Sequence, residues 1–475
     1  MASIEAMRKR HIEADVREDQ DRNQINTRFA LVLWLFVCAW LLTQNDMFTP
    51  NRTFLAWEAL LVFLSAMFLI GRTAIDGFWS PASIFLLVTG IFHLGLVGHM
   101  IAGIEPVLLQ RDWQWYDGPI GLESLQIVIA GIASYTLATL LIFSFARRTD
   151  PSSRDPRYDV LLRRLSAVGA IILLGSVLLW FTYVATTVGL GAIFGTYEHF
   201  LAATTDKVNL NIPYAGMALG LGLTFVVPLR FIGWLAFSSF VVFASAGFFL
   251  GLRGEVLFTL AAAIPVLAAR RRMPSAWLAI LLAVGVLVLI NIAKVVRSVG
   301  VSTTTLTQIT ASPLDALAEM GSSIRVVATV IRWHDSGEPF YNGDTYIVAI
   351  ARFFEQFSPL GRLEAEADYR LFNVEIGARE GPIGGSIIAE AFHNFGTVGV
   401  VLVLGLVGLL FAYFSRAHRS PMALATYVAL AAPLFNHVRN SFVGVIPYVL
   451  AGFAVVLIVR ALTRVRPSKE RADLI

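Results

Sequence analysis

Glu390, His393 and Asn394 stand at i, i+3 and i+4, the spacing that puts three side chains on one face of a helix. A carboxylate and an imidazole in a partly dry site are suited to taking a proton from a hydroxyl. Just ahead of them, Pro382-Ile-Gly-Gly-Ser386 reads as a loop ending in an N-cap serine. A helix start flanked by glycines offers an anion free N–H groups and the positive end of a dipole, which makes Ser386 a candidate anion contact. Arginine grips two phosphate oxygens at once with its planar fork. Two arginines stand out because almost no loop surrounds them: Arg253 in Gly251-Leu-Arg-Gly254 and Arg439 in Asn436-His-Val-Arg-Asn-Ser441. Ionisable groups so close to hydrocarbon are costly and point to function.

The chain that must position these groups has 475 residues, 56% of them hydrophobic, one cysteine (Cys38) and a formal net charge of +4. Its mean hydropathy is +0.69. Uncharged windows such as Val401–Phe414 sit in stretches of bilayer-spanning length, so the fold class is an all-α polytopic membrane protein. About twelve spans are expected, near 29–44, 54–71, 81–103, 123–146, 165–188, 213–229, 231–250, 255–269, 275–293, 386–414, 421–435 and 442–461. Lysine and arginine gather in the tail 1–28, the 147–164 loop, Arg270–Arg272, Arg416, Arg419 and the tail 462–475. Twelve spans put all of these on one side, which the positive-inside bias makes cytoplasmic, with both termini inside.

That arrangement divides the chain into a cytoplasmic tail (1–28), spans one to nine (29–293), a large extracytoplasmic loop (294–385), spans ten to twelve (386–461) and a cytoplasmic tail (462–475). The large loop holds arginines where the bias disfavours them: Arg297, Arg325, Arg332, Arg352, Arg362, Arg370 and Arg379. Each either binds an anion, pairs with a carboxylate such as Glu255 or Glu380, or snorkels to lipid headgroups. Two amphipathic helices are expected in the loop. One begins at Ser312-Pro313-Leu-Asp315 and runs through Ile331. The other begins near Asp344, carries Ile347, Ile350, Phe354 and Phe357 on one face, and stops before Pro359. Such helices lie along a membrane surface or cap a cavity. His93 and His99, within the third span, read as buried packing histidines. The histidines show no metal-ligand spacing, Asp19-Gln-Asp21 is the only Asp-x-Asp, and no P-loop is present, so neither a metal-dependent nucleotide-sugar transferase nor an ATP-driven transporter is expected.

Four stretches together resemble the Wzy-type O-antigen and oligosaccharide repeat-unit polysaccharide polymerases of bacterial envelopes. They are Gly251-Leu-Arg-Gly254; Glu319-Met-Gly-Ser-Ser-Ile-Arg325; Phe340-Tyr-Asn-Gly-Asp-Thr-Tyr346; and Gly384-Gly-Ser-Ile-Ile-Ala-Glu390-Ala-Phe-His-Asn-Phe-Gly396, with Gly399 further along the same helix. The likeness covers roughly residues 240–445. His393 stands where the family more often has tyrosine. The resemblance implies a glycosyltransferase of the cytoplasmic membrane that needs no metal or cofactor. Its donor and acceptor would both be polyprenyl-pyrophosphate-linked oligosaccharides, with membrane lipids around it, a chain-length regulator as a possible partner and no nucleic acid. Arg253, Arg439 and Arg325, with Ser386, would hold the pyrophosphate. Glu390 or His393 would take the proton from the acceptor hydroxyl, and Asn394, His437, Tyr341 and Tyr346 would contact acceptor or glycan. A ligase-like enzyme shares the donor and the arginines and differs only in the acceptor. A glycan or lipid transporter would place ionisable residues at midplane and show inverted repeats, neither of which the sequence has.

Overall fold

A computed structural model describes residues 24–43, 51–104, 114–145, 156–189, 210–250, 252–275, 313–355, 367–381, 383–417 and 421–463, with isolated residues between. The described residues are helices and turns: α1 (Gln24–Thr43), α2 (Arg52–Thr73), α3 (Pro81–Leu94), α4 (Val97–Ala102), α5 (Pro119–Phe145), α6 (Pro156–Thr187), α7 (Asn211–Thr224), α8 (Phe231–Leu250), α9 (Arg253–Ala268), α10 (Pro313–Met320), α11 (Ile324–Asp335), α12 (Asp344–Glu355), α13 (Phe372–Glu380), α14 (Ile387–Ala417), α15 (Pro421–His437) and α16 (Val445–Thr463). Among them, seven helices are long and apolar enough to cross a membrane, and shorter apolar helices at 81–94 and 254–268 pack among them. Together they account for most of the expected spans; the span expected at 275–293 lies largely outside the described residues.

The apolar helices pack through small residues, as membrane helices do where no water drives them together. On α14, a Cβ at Gly408 would stand 2.5 Å from the Tyr135 carbonyl of α5. One heptad earlier on the same face, Ser134 Oγ donates to the Val401 carbonyl at 2.6 Å. On α6 and α7, a Cβ at Gly220 would meet the Leu173 backbone at 2.7 Å.

Four boundaries differ from expectation. The basic run Arg157–Arg164, expected in a loop, forms the first turns of α6, because Leu161, Leu162 and Leu165 bury one face while Arg163 and Arg164 stay exposed. The third span is broken into α3 and α4 at Gly95. The first amphipathic helix of the loop is two helices, α10 and α11, joined by a 3₁₀ turn at Gly321–Ser323. The tenth span, α14, is broken at Phe395 (φ −142°, ψ 16°) and Gly396 (φ 62°, ψ −155°).

Helices α10 to α13 form a cap over one end of the bundle, where α14 begins and α15 ends. The breaks at Gly95 and Gly321 are one contact: a Cβ on Gly95 would lie 2.0 Å from the Leu317 carbonyl, and one on Gly321 would lie 2.6 Å from Gly95 Cα. His99 Nε2, 3.1 Å from Asp315 Oδ1, ties α4 to α10 beside it. Both histidines of this region are buried, as expected, but each is also a hydrogen-bond partner. The apolar face of α12 points outward, with Ile347 60% and Phe354 62% exposed, as a helix resting on lipid requires.

Gly321→Ala is expected to force the cap off α3. Backbone cannot yield as a side-chain tip can, so a loss of about 1–3 kcal/mol is expected. Thermal melting of the purified protein measures it; a variant as stable as the wild type would mean that the cap tolerates displacement there.

Candidate functional site

The break in α14 builds the site. A helix that stops at Phe395 leaves the carbonyls before it without partners from the next turn, and buried carbonyls need partners. The loop between α11 and α12 supplies them. Tyr341 N–H donates to the His393 carbonyl at 3.1 Å, and Asn342 N–H to the Asn394 carbonyl at 2.9 Å. Gly343 N–H then donates to Asn394 Oδ1 at 3.0 Å. Asn342 and Gly343 both have positive φ, 51° and 98°, which an Asn-Gly pair adopts at little strain. Two of the stretches singled out above, 340–346 and 384–396, are therefore one structure.

The three residues expected on one face divide between two networks. In the first, Glu390, 1% exposed, has both oxygens engaged. Thr345 Oγ1 donates to Oε1 at 3.0 Å. His437 Nε2 lies 2.9 Å from Oε2, and the Phe442 N–H donates to the same oxygen at 2.8 Å. Asn394 joins this group by donating to Thr345 Oγ1 at 2.7 Å. Tyr346 packs edge-on to Phe442, its ring centroid 5.2 Å away.

In the second network, His393 Nε2 lies 3.2 Å from Glu375 Oε2, while His334 Nε2 lies 3.1 Å from His393 Nδ1. His334 Nδ1 is 2.8 Å from the Glu338 carbonyl. An oxygen at each end of this chain demands a proton on the nitrogen facing it, and the bond between the two rings needs a third. The two histidines are thus fully bonded only when they share one extra proton. Glu375 also receives the Tyr341 hydroxyl at 2.9 Å and Arg379 Nη1 at 3.1 Å. Burial pushes the Glu375 carboxyl up, but the bonds from His393, Tyr341 and Arg379 outweigh it and hold it below its ordinary value. Burial and the bond to Glu375 push the Tyr341 hydroxyl up to about 12.

The anion candidates separate as well. Ser386 caps α14 as expected, accepting from the N–H groups of Ile388 and Ala389, both at 3.2 Å. Its Oγ is 2.7 Å from His93 Nε2, and it is fully buried, so in this conformation it is closed to a ligand. Most of the described loop arginines pair inside the cap: Arg332 with Glu380, Arg352 and Arg370 with Asp368, Arg379 with Glu338. Arg325, on α11, is half-buried. Arg253 opens α9; Arg297 and Arg362 lie outside the described residues.

Arg439 is different. Among the described residues it has no carboxylate in ion-pairing range, and its guanidinium stands 5.7 Å from the centroid of the Phe92 ring. Its carbonyl accepts from the Gly385 N–H at 2.8 Å, and a Cβ on Gly385 would meet the Asn440 backbone at 2.7 Å. The paired glycines thus let the 436–441 turn lie directly on the start of α14.

The whole-chain comparison settles the family. The chain matches the family described as O-antigen polysaccharide polymerase Wzy over residues 25–466. It belongs to that family. It is also similar to Protein CapE of Staphylococcus aureus, 28% identical over 200 residues, which is 42% of this chain and 44% of CapE. The match therefore spans less than half of that relative. No solved structure matches.

Sequence reasoning missed Thr345, Glu375 and His334, and it placed His437 with the glycan contacts rather than on Glu390. Thr345 was within reach, since it adjoins Tyr346 in a stretch already singled out. Glu375 and His334 carry no local signal, because their partners are distant in sequence.

Glu375 gives a pH prediction. Its folded-state value is depressed below the ordinary carboxylate value of about 4.3, so its stabilisation is fully present at neutral pH and is lost as pH falls through the folded value. Glu375→Gln should cost about 1.5–3 kcal/mol at pH 7 and flatten the acid limb of a melting-temperature profile between pH 7 and 3. An unchanged acid limb would place the titrating group elsewhere.

Proposed function

We propose that this membrane protein joins lipid-linked oligosaccharide repeat units into a polysaccharide on the outer face of a bacterial cytoplasmic membrane. The observation that carries the reading is Arg439: a cation with no carboxylate within ion-pairing distance among the described residues, set beside the positive end of α14. A guanidinium beside a helix N-terminus forms a site suited to an anion. In this reading the anion is the pyrophosphate of a polyprenyl-linked donor, held by Arg439 with Arg253 and Arg325, which stabilise the charge that develops as it leaves.

The acceptor sugar oxygen forms the new bond to the anomeric carbon, and the bond from that carbon to the pyrophosphate oxygen breaks. The hydroxyl proton goes to Glu390. His437 and the Phe442 N–H hold its Oε2, and a rotation of Thr345 uncovers Oε1. His393 has both ring nitrogens committed and acts as a positioning residue, fixing the break in α14. Asn394, Tyr341 and Tyr346 support the same wall on the acceptor side. The basic ends of the helices are cytoplasmic and the cap is outside.

Purified protein in lipid nanodiscs, supplied with single lipid-linked units from cells lacking it, should produce a ladder of longer lipid-linked glycans. Transfer only to a different acceptor would make it a ligase. Arg439→Lys keeps the charge and loses the fork, and should slow the reaction about ten- to a hundred-fold at unchanged melting temperature. Full activity in that variant would remove Arg439 from the pyrophosphate. Glu390→Gln should abolish the ladder, whereas His393→Gln should be milder. The sidedness is tested by cysteine labelling in a Cys38→Ala background: an impermeant maleimide should reach Ser336→Cys from outside and miss Ser275→Cys, and the reverse pattern would invert the topology.

A further inference from the structure

A cavity of about 430 Å³ lies among α7, α9, α15 and α16, at the cap end of the bundle. That is within the size range of small-molecule sites, about 300–1,000 Å³. Its upper wall is polar, with Asn211, Glu255, Asn436, Asn440 and Tyr448, and its floor is apolar, with Ala218, Leu219 and Phe258. Glu255 lies in the first turn of α9 and makes no ion pair among the described residues; Arg439 acts on it only through space. An ionisable group inside a membrane bundle that lacks a close partner and faces a cavity is a mark of a ligand path.

The lining decides what kind of ligand fits. A carboxylate repels phosphates and uronic acids and accepts hydrogen bonds from hydroxyls. Asparagine amides donate and accept at once, as vicinal hydroxyls do. Tyr448 and Tyr214 add rings whose faces suit the C–H face of a pyranose. Asn440 Nδ2 donates to Asn436 Oδ1 at 2.7 Å, so the two amides are held in place. Asn436 also adjoins His437, the partner of Glu390, and the same turn carries Arg439. One short turn therefore borders the cavity, the cation and the carboxylate–imidazole pair.

We propose that this cavity is a saccharide subsite for about one or two uncharged sugar rings, and that Glu255 holds a hydroxyl of the bound sugar. The proposal rests on the polymerase reading and adds a binding residue to it. The test uses the full chain in nanodiscs, with the single lipid-linked repeat unit extracted from cells lacking the protein as the probe. Glu255→Gln, nearly isosteric, should raise KM for that unit about ten- to a hundred-fold with a smaller change in kcat, and Glu255→Asp should recover part of the loss. Ala432→Phe, which fills the cavity, should act in the same direction. Wild-type KM in Glu255→Gln overturns the proposal, whether or not Ala432→Phe folds. If the wild-type protein makes no polymer, the polymerase reading fails by itself, and equilibrium binding of the same unit decides the subsite: weaker binding by Glu255→Gln upholds it and equal binding overturns it.

Discussion

The site end of this protein depends on two backbone carbonyls. Breaking α14 at Phe395 leaves the carbonyls of His393 and Asn394 without the N–H groups that an unbroken helix would bring them, inside a bundle where water cannot substitute. Each such group left unpaired costs roughly 1–3 kcal/mol. The 340–343 loop removes the cost by laying its N–H groups along the break, and in doing so it brings Thr345 over Glu390 and Tyr341 over His393. The break, the cap and both polar networks are therefore one connected structural unit rather than separate features.

Glu390 adds a second constraint to the same place. A carboxylate taken out of water is tolerated only when its oxygens are well bonded. Its donors come from α12, from the last residue of α15 and from the turn before α16, so elements distant in sequence must meet at one side chain. The paired glycines at 384–385 and the Gly95–Gly321 contact make that meeting geometrically possible, since a single methyl at any of three of these positions would strike backbone.

Much of this was legible in the sequence. Long apolar runs specify spans by length alone, and the Ser386 cap and the Pro313 start followed local rules that do not depend on tertiary context. The kink was not legible, because Gly396 within an apolar helix is as compatible with a straight helix as with a broken one. The i, i+3, i+4 spacing places Glu390, His393 and Asn394 on one face of the helix before the kink, but it carries no information on the partners in the cap, which draw them into two networks. For the loop arginines the sequence left anion binding and carboxylate pairing both open; most of the described ones neutralise carboxylates of the cap, whereas Arg439, already set apart by its short turn, has no carboxylate in ion-pairing range among the described residues. Glu255 was noticed merely as a counter-ion, since a cavity formed by four helices leaves no trace in any one of them.

Helix α12 carries a consequence of its own. One of its faces holds Thr345 against Glu390, while Ile347, Ile350 and Phe354 turn away from the protein. In the reading proposed above, in which the cap rests on the outer surface of the membrane, the far side of the polar network is the acyl chains, and the bilayer becomes a structural component of the site. Thickness, lateral pressure and headgroup packing at that depth all bear on how firmly Thr345 is held over the carboxylate. A micelle, which lacks a planar interface of fixed depth, presents this helix with a different support from the one for which its apolar face is shaped.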